Sequence, residues 1–111
     1  MIQTKDEGII RQIIKRCKRI MSKIYGVSED DFILDEDLIE VICFNVFQIG
    51  GLANGLSNEF VKEYNGIPWK HVIGMRHKIV HGYDTINFSI VWNTATESIS
   101  DLYHYCLNIF K

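Results

Sequence analysis

A chain of 111 residues, 47% apolar and 23% charged, has the make-up of a globular domain, which excludes intrinsic disorder as its resting state. That length can bury a core without disulfides or metals. The formal charge of −2 excludes a protein that holds nucleic acid by net charge alone, so such a contact must rest on a few placed cations or on a patch built by oligomerisation.

One proline and 8 glycines leave room for long helices. No repeat, low-complexity tract or linker divides the chain, so residues 1–111 read as a single helical domain. Cys17, Cys43 and Cys106 are odd in number and form no C-x-x-C pair. They read as reduced core thiols, with neither a zinc knuckle nor a redox pair. The longest apolar stretch, residues 38–53, is interrupted by Glu40, Asn45 and Gln48. It falls short of a membrane span. The opening Met1–Glu7 is polar and charged, unlike a signal peptide. A cytoplasmic protein with no membrane contact is expected.

The first helix is expected over about Lys5 to Tyr25. Thr4 and Glu7 have the form of a capping box, and Gly26 is a natural stop. Ile10, Ile13, Ile14, Cys17, Ile20, Met21 and Ile24 make one apolar stripe at three- and four-residue steps, with Arg11, Lys15, Arg16, Lys18, Arg19 and Lys23 around it. Residues 28–34 read as a connection with one short helical turn. Asp35 or Asp37 then caps a second helix to about Ala53, apolar nearly all round and so central in a bundle. Gly50 and Gly51 there would let another helix approach closely.

Ser57 is the expected cap of a short helix over about Asn58 to Tyr64, and Asn65-Gly66 breaks it. Pro68 suits the first turn of a helix running from Trp69 to about His81 and stopping at Gly82. The last helix begins near Asn87 or Ser89 and carries Val91, Ala95, Ile99, Leu102, Cys106 and Ile109 as a stripe. The expected fold is all-α, an antiparallel up-and-down bundle of four to five helices.

Chemistry concentrates in residues 67–83. This stretch holds His71, His77 and His81 with Lys70, Arg76, Lys78 and Tyr83. In a continuous helix Arg76 and Tyr83 share a face, as do His77 and His81, whereas Arg76 and His81 point about 140° apart. Only long side chains or a facing partner would bring those two onto one ligand, so the site is expected at an interface, such as one between two copies of the chain. Arg, His and Tyr form a workable metal-free set for RNA cleavage, because RNA supplies its own nucleophile in the 2′-hydroxyl. A histidine moves protons near neutral pH, and an arginine stabilises charge gathering on phosphorus. Tyr83 would position the phosphate or stack on a base.

Arg76, four residues, His81, one residue, Tyr83 resembles the signature of HEPN-domain proteins of the HepT-like toxin group. Ile67-Pro68-Trp69 and Gly74-Met75 before it, Val91-Trp92 after it, and Ile49-Gly50 and Leu56-Ser57 upstream are similar to the same group. The resemblance runs from the first helix to the last. It implies a HEPN-like bundle that dimerises with two signature motifs facing across a cleft. It implies a ribonuclease toxin, with Arg76 and His81 the catalytic pair and Tyr83 in support; His77, able to donate a hydrogen bond, is a further supporting candidate. It further implies an MNT-type nucleotidyltransferase antitoxin as partner, with Tyr83 as the acceptor of AMP. The departures are His77, where many members have Asn, and Gly51, where many have an acid.

Spacing alone also fits surface residues near a helix end, where a cation is favourable. A second functional reading is a non-catalytic partner, or AMP-acceptor subunit, of a nucleotidyltransferase. His77 and His81 have the spacing of two helical zinc ligands, but Lys78 stands where a zincin needs Glu and no third ligand follows, so neither a metal nor a cofactor is expected. His71 and His104 read as surface or packing residues. Trp69 and Trp92 read as packing anchors. The basic face of the first helix is a solvated face that could also track an RNA backbone.

Overall fold

The computed structural model describes residues 2–79 and 87–111. Among them the fold is all-helical: α1 (Thr4–Ile24), α2 (Glu29–Phe32), α3 (Glu36–Asn54), α4 (Asn58–Glu63), α5 (Trp69–Ile79), α6 (Phe88–Asn93), a π-helical turn (Thr94–Ser98) and α7 (Ile99–Ile109). The last three follow without a break, so four main segments and two short helices build the bundle.

The stripe of α1 folds as its spacing predicts, with Ile10, Ile13, Cys17, Ile20 and Ile24 buried. Each fully buried isoleucine contributes roughly 1.5–3 kcal/mol. The expected capping box does not form. Helix α1 begins one residue early, so Gln3 is the cap, without a side-chain hydrogen bond, and Thr4 is already helical. Glu7 then lies past the position from which its carboxylate reaches back, and it pairs with Arg11 at 3.5 Å instead. Asp6 takes the third helical position and is buried. Its carboxylate accepts from the Ser57 amide at 2.9 Å and from the Ser57 hydroxyl at 2.7 Å. Ser57 Oγ in turn accepts from the Phe60 amide, capping α4. One buried carboxylate thus ties the start of α1 to the start of α4. At the far end of α1, Gly26 adopts φ 76°, the left-handed conformation a glycine stop provides.

Helix α3 is capped by Asp35, whose side chain accepts from the Leu38 amide at 3.0 Å. It packs on α1 and on α5, which is why its sequence is apolar on more than one face. Pro68 starts α5 through its carbonyl, which accepts from the His71 and Val72 amides. Trp69 is buried and donates from Nε1 to the Tyr64 carbonyl at 2.7 Å. The Tyr105 hydroxyl accepts from the Gly66 amide at 3.0 Å, and a methyl on Gly66 would overlap the Tyr105 ring. The Asn65-Gly66 break is thereby clamped to α7.

Asn87 caps α6. The last helix, expected to be regular, widens into a π turn at Thr94–Ser98, where Thr96 Oγ1 donates to the Trp92 carbonyl at 2.8 Å. This i−4 back-bond competes for a helical acceptor and bends helices. Val91, Ala95, Ile99, Leu102 and Cys106 remain buried across the turn and join one core with α1, α3 and α5. No helix among the described residues is long and apolar enough to cross a membrane.

Candidate functional site

Met75 and Ile79 are buried on α5, and this fixes its rotation. Arg76, His77 and Lys78, between them, are exposed. The stem of Arg76 does not hang free in solvent, because α5 crosses α3 at Gly50. A methyl placed on Gly50 would lie 3.2 Å from the Ile73 carbonyl oxygen, 3.6 Å from that of Val72 and 3.7 Å from Arg76 Cδ. The missing side chain at Gly50 therefore lets the backbones meet and gives the aliphatic part of Arg76 a surface to lie beside. Arg76 is exposed, and a guanidinium is a planar fork of donors suited to an anion.

Of the expected site residues, the structure places Arg76 and His77 next to each other on the exposed side of α5. His81 and Tyr83, and the expected helix stop at Gly82, lie outside the described residues. Lys78 is drawn elsewhere: its Nζ donates to His71 Nδ1 at 3.2 Å, two turns back on α5. His71 is exposed, as expected of a surface residue, and His104 is exposed with its ring against Tyr103. A methyl on Gly51 would meet nothing within 4 Å, so of the glycine pair only Gly50 serves a close approach.

The cysteines are poorly placed to act as nucleophiles. All three are buried and free. Burial pushes the Cys43 thiol up to about 11 and that of Cys106 up to about 12. Cys17 rises further, through burial and then through the neighbouring Cys106. Among the described residues no cluster of His, Cys, Asp or Glu could hold a metal ion. What this surface offers chemically is fixed positive charge and hydrogen-bond donors on α5, suited to phosphate.

Residues 10–109 match the family described as ribonuclease HepT-like. The chain belongs to that family. It is a ribonuclease-type HEPN protein, as the resemblance implied. Its relatives agree. A protein of Caldanaerobacter subterraneus subsp. tengcongensis, provisionally named an RNase, is 30% identical over 93 residues, which is 84% of this chain and 83% of the relative. One of Methanocaldococcus jannaschii, provisionally named an RNase too, is 32% identical over 96 residues, covering 86% of this chain and 79% of its own. A third, of Thermococcus cleftensis, carries the provisional name ribonuclease HepT and is 27% identical over 73 residues, 66% of each chain. No solved structure matches this chain.

Two links between helices were not anticipated from the sequence: the Asp6–Ser57 link and the Arg16–Asn45 hydrogen bond of 3.2 Å between α1 and α3. A charged residue set early in an otherwise apolar stripe was the signal for the first. An asparagine inside the apolar run of α3 was the signal for the second.

Proposed function

We propose that this protein is a metal-independent endoribonuclease that works as a homodimer and is the toxin of a HEPN/MNT toxin–antitoxin pair. The observation that supports this most is the family match over residues 10–109, with Arg76 inside it exposed on α5 and backed by Gly50. In this reading an RNA 2′-hydroxyl attacks the adjacent phosphorus. The O2′–P bond forms, the P–O5′ bond breaks, and a 2′,3′-cyclic phosphate and a 5′-hydroxyl result. His81 takes the 2′ proton, and a histidine in its protonated form supplies one to the leaving 5′ oxygen. Arg76 stabilises the extra charge on the phosphorane. His77 assists as a donor, and Tyr83 orients the substrate.

Neutralisation follows from the same residues. The partner is a nucleotidyltransferase that moves AMP from ATP to Tyr83. The tyrosyl oxygen attacks the α-phosphorus, pyrophosphate leaves and the phenolic proton is lost. An adenylated Tyr83 carries a bulky anion where substrate phosphate must sit.

The test is cleavage of total cellular RNA by purified protein in EDTA, beside His81→Ala prepared identically. Cleavage by the parent alone supports the reading. Absence of cleavage by both, with each folded and Tyr83 unmodified, rejects it and points to a non-catalytic partner of the nucleotidyltransferase.

A further inference from the structure

A second anion-ready feature lies away from α5. Between α1 and α3 an open-sided cleft of about 450 Å³ is lined by Arg16, Arg19, Asp37, Glu40, Phe44 and Asn45. Arg16 is held in place there. It donates from Nη1 to Asn45 Oδ1 at 3.2 Å, and its Cζ lies 5.7 Å from the centre of the Phe44 ring. Asn45 is only 1% exposed and is itself fixed by donating from Nδ2 to the Val41 carbonyl at 2.8 Å. Phe44 is 53% exposed, the reverse of what an apolar ring in a bundle should be. Arg16 and Arg19 belong to none of the ion pairs among the described residues. At about 100° per residue, the exposed Lys15 and Lys23 continue the cationic surface along α1.

Each wall suits a different part of one ligand. A phosphate is attracted to the arginines on α1 and repelled by Asp37 and Glu40 on α3. Those carboxylates instead accept hydrogen bonds from exocyclic amino groups, as on a base edge. The exposed Phe44 ring between them is a stacking surface. Resting on the reading that RNA is the substrate, we propose that this cleft is a subsite for one nucleotide of single-stranded RNA. Its phosphate lies against Arg16 and Arg19, its base on Phe44, and its amino-bearing edge towards Asp37 and Glu40. The run of cations beyond the cleft favours a strand over a free nucleotide. Asn45 and Gly50 are five residues apart, about 7.5 Å along α3. They point about 140° apart around it, so a strand held at the cleft must pass round α3 to reach Arg76 beside Gly50.

The experiment is binding of fluorescent, uncleavable 2′-O-methyl 12-mers of A, C or U by the intact protein, with cleavage of ordinary RNA measured in parallel. Phe44→Ala should weaken binding about fivefold or more, from the lost stacking of a base. Arg16→Gln with Arg19→Gln should lower the slope of log affinity against log salt by about 1–2. Oligo-A and oligo-C should bind more tightly than oligo-U, and Glu40→Gln should shrink that preference. If the parent cleaves RNA but these variants bind all three oligomers as it does, the subsite is wrong and the nuclease reading stands. If the parent neither cleaves nor binds RNA, both fall. AMP binding as tightly as the oligomers in a Phe44-dependent way overturns the strand in favour of a free nucleotide. A Phe44→Ala variant that changes only the sedimentation coefficient overturns it in favour of a second copy of the chain.

Discussion

Gly50 of α3 and Arg76 of α5 face each other across the helix crossing, with only 3.7 Å between Arg76 Cδ and the place a side chain on Gly50 would begin. This contact links packing to chemistry: the glycine sets how close α5 lies, and the arginine it backs is the candidate for charge stabilisation.

The two neighbouring glycines should therefore respond oppositely to the same substitution. Gly50→Ala places a methyl 3.2 Å from the rigid Ile73 carbonyl, so α5 must give way and carry Arg76 with it. It should lower the urea midpoint by the equivalent of about 1–3 kcal/mol, as overpacking does. It should also reduce RNA cleavage at least tenfold. Gly51→Ala adds its methyl in open space on a helix, where alanine is better than glycine by about 0.5–1 kcal/mol. It should raise the midpoint and leave cleavage unchanged. Equal behaviour of the two variants would refute the close-contact argument.

Arg76 itself is exposed, so its removal should be visible in activity and nearly silent in stability. Arg76→Ala should change unfolding free energy by less than about 0.5 kcal/mol. Loss of a charge-stabilising donor corresponds to about 10²–10³ in rate. Arg76→Lys should recover little of it, because an ammonium lacks the planar fork that grips two phosphate oxygens. Full rescue by lysine would mean that only general positive charge matters there. Single-turnover cleavage beside urea melts separates these outcomes.

Much of the fold could be read from spacing because helix stripes and caps are local. Ser57, Asp35 and Asn87 each cap the helix that follows them, and Gly26 stops α1, since these depend on backbone groups a few residues away. The capping box at Thr4 does not form because α1 starts one residue early, which puts Asp6 at the third helical position, where it meets Ser57, 51 residues away. The π turn in the last helix was invisible in the sequence, since the mixed three- and four-residue steps of Val91, Ala95, Ile99, Leu102 and Cys106 read as an ordinary helix. On the site, charge and spacing pointed to α5, where the Arg76 stem lies beside Gly50. The partners expected of Arg76, His81 and Tyr83, fall outside the described residues.

The thiols give an independent check on the core. Burial raises Cys43 to about 11 and Cys106 to about 12, so the reactive thiolate is scarce at pH 7 to 8. The shift raises each pKa above its unfolded value, so the neutral thiol is favoured in the fold, and stability from this source is lost only as pH rises past about 8.5. All three cysteines should react with a thiol reagent such as DTNB only through unfolding. The folded protein at pH 8 should release colour slowly, and the urea-unfolded protein should react at once. Cys17 or Cys106 labelling in seconds without urea would contradict the packing of α1 against α7.

The Asp6–Ser57 link makes the sharpest stability prediction. Asp6 accepts two hydrogen bonds and is 2% exposed, so neither water nor another side chain replaces it. Asp6→Ala orphans the Ser57 amide and hydroxyl and should destabilise by about 1.5–3 kcal/mol, the range for bonds to a charged group. Asp6→Asn should lie between that variant and the parent. Its oxygen can still accept from the Ser57 amide, but its NH₂ takes the place of the oxygen that accepted the Ser57 hydroxyl proton, and that donor loses its partner. Urea midpoints rank the three proteins. Hydrogen exchange adds the local readout, because the Ser57 and Phe60 amides should lose protection first in Asp6→Ala. If those amides kept parental protection while the whole protein weakened, the carboxylate would matter for α1 alone and not for joining it to α4.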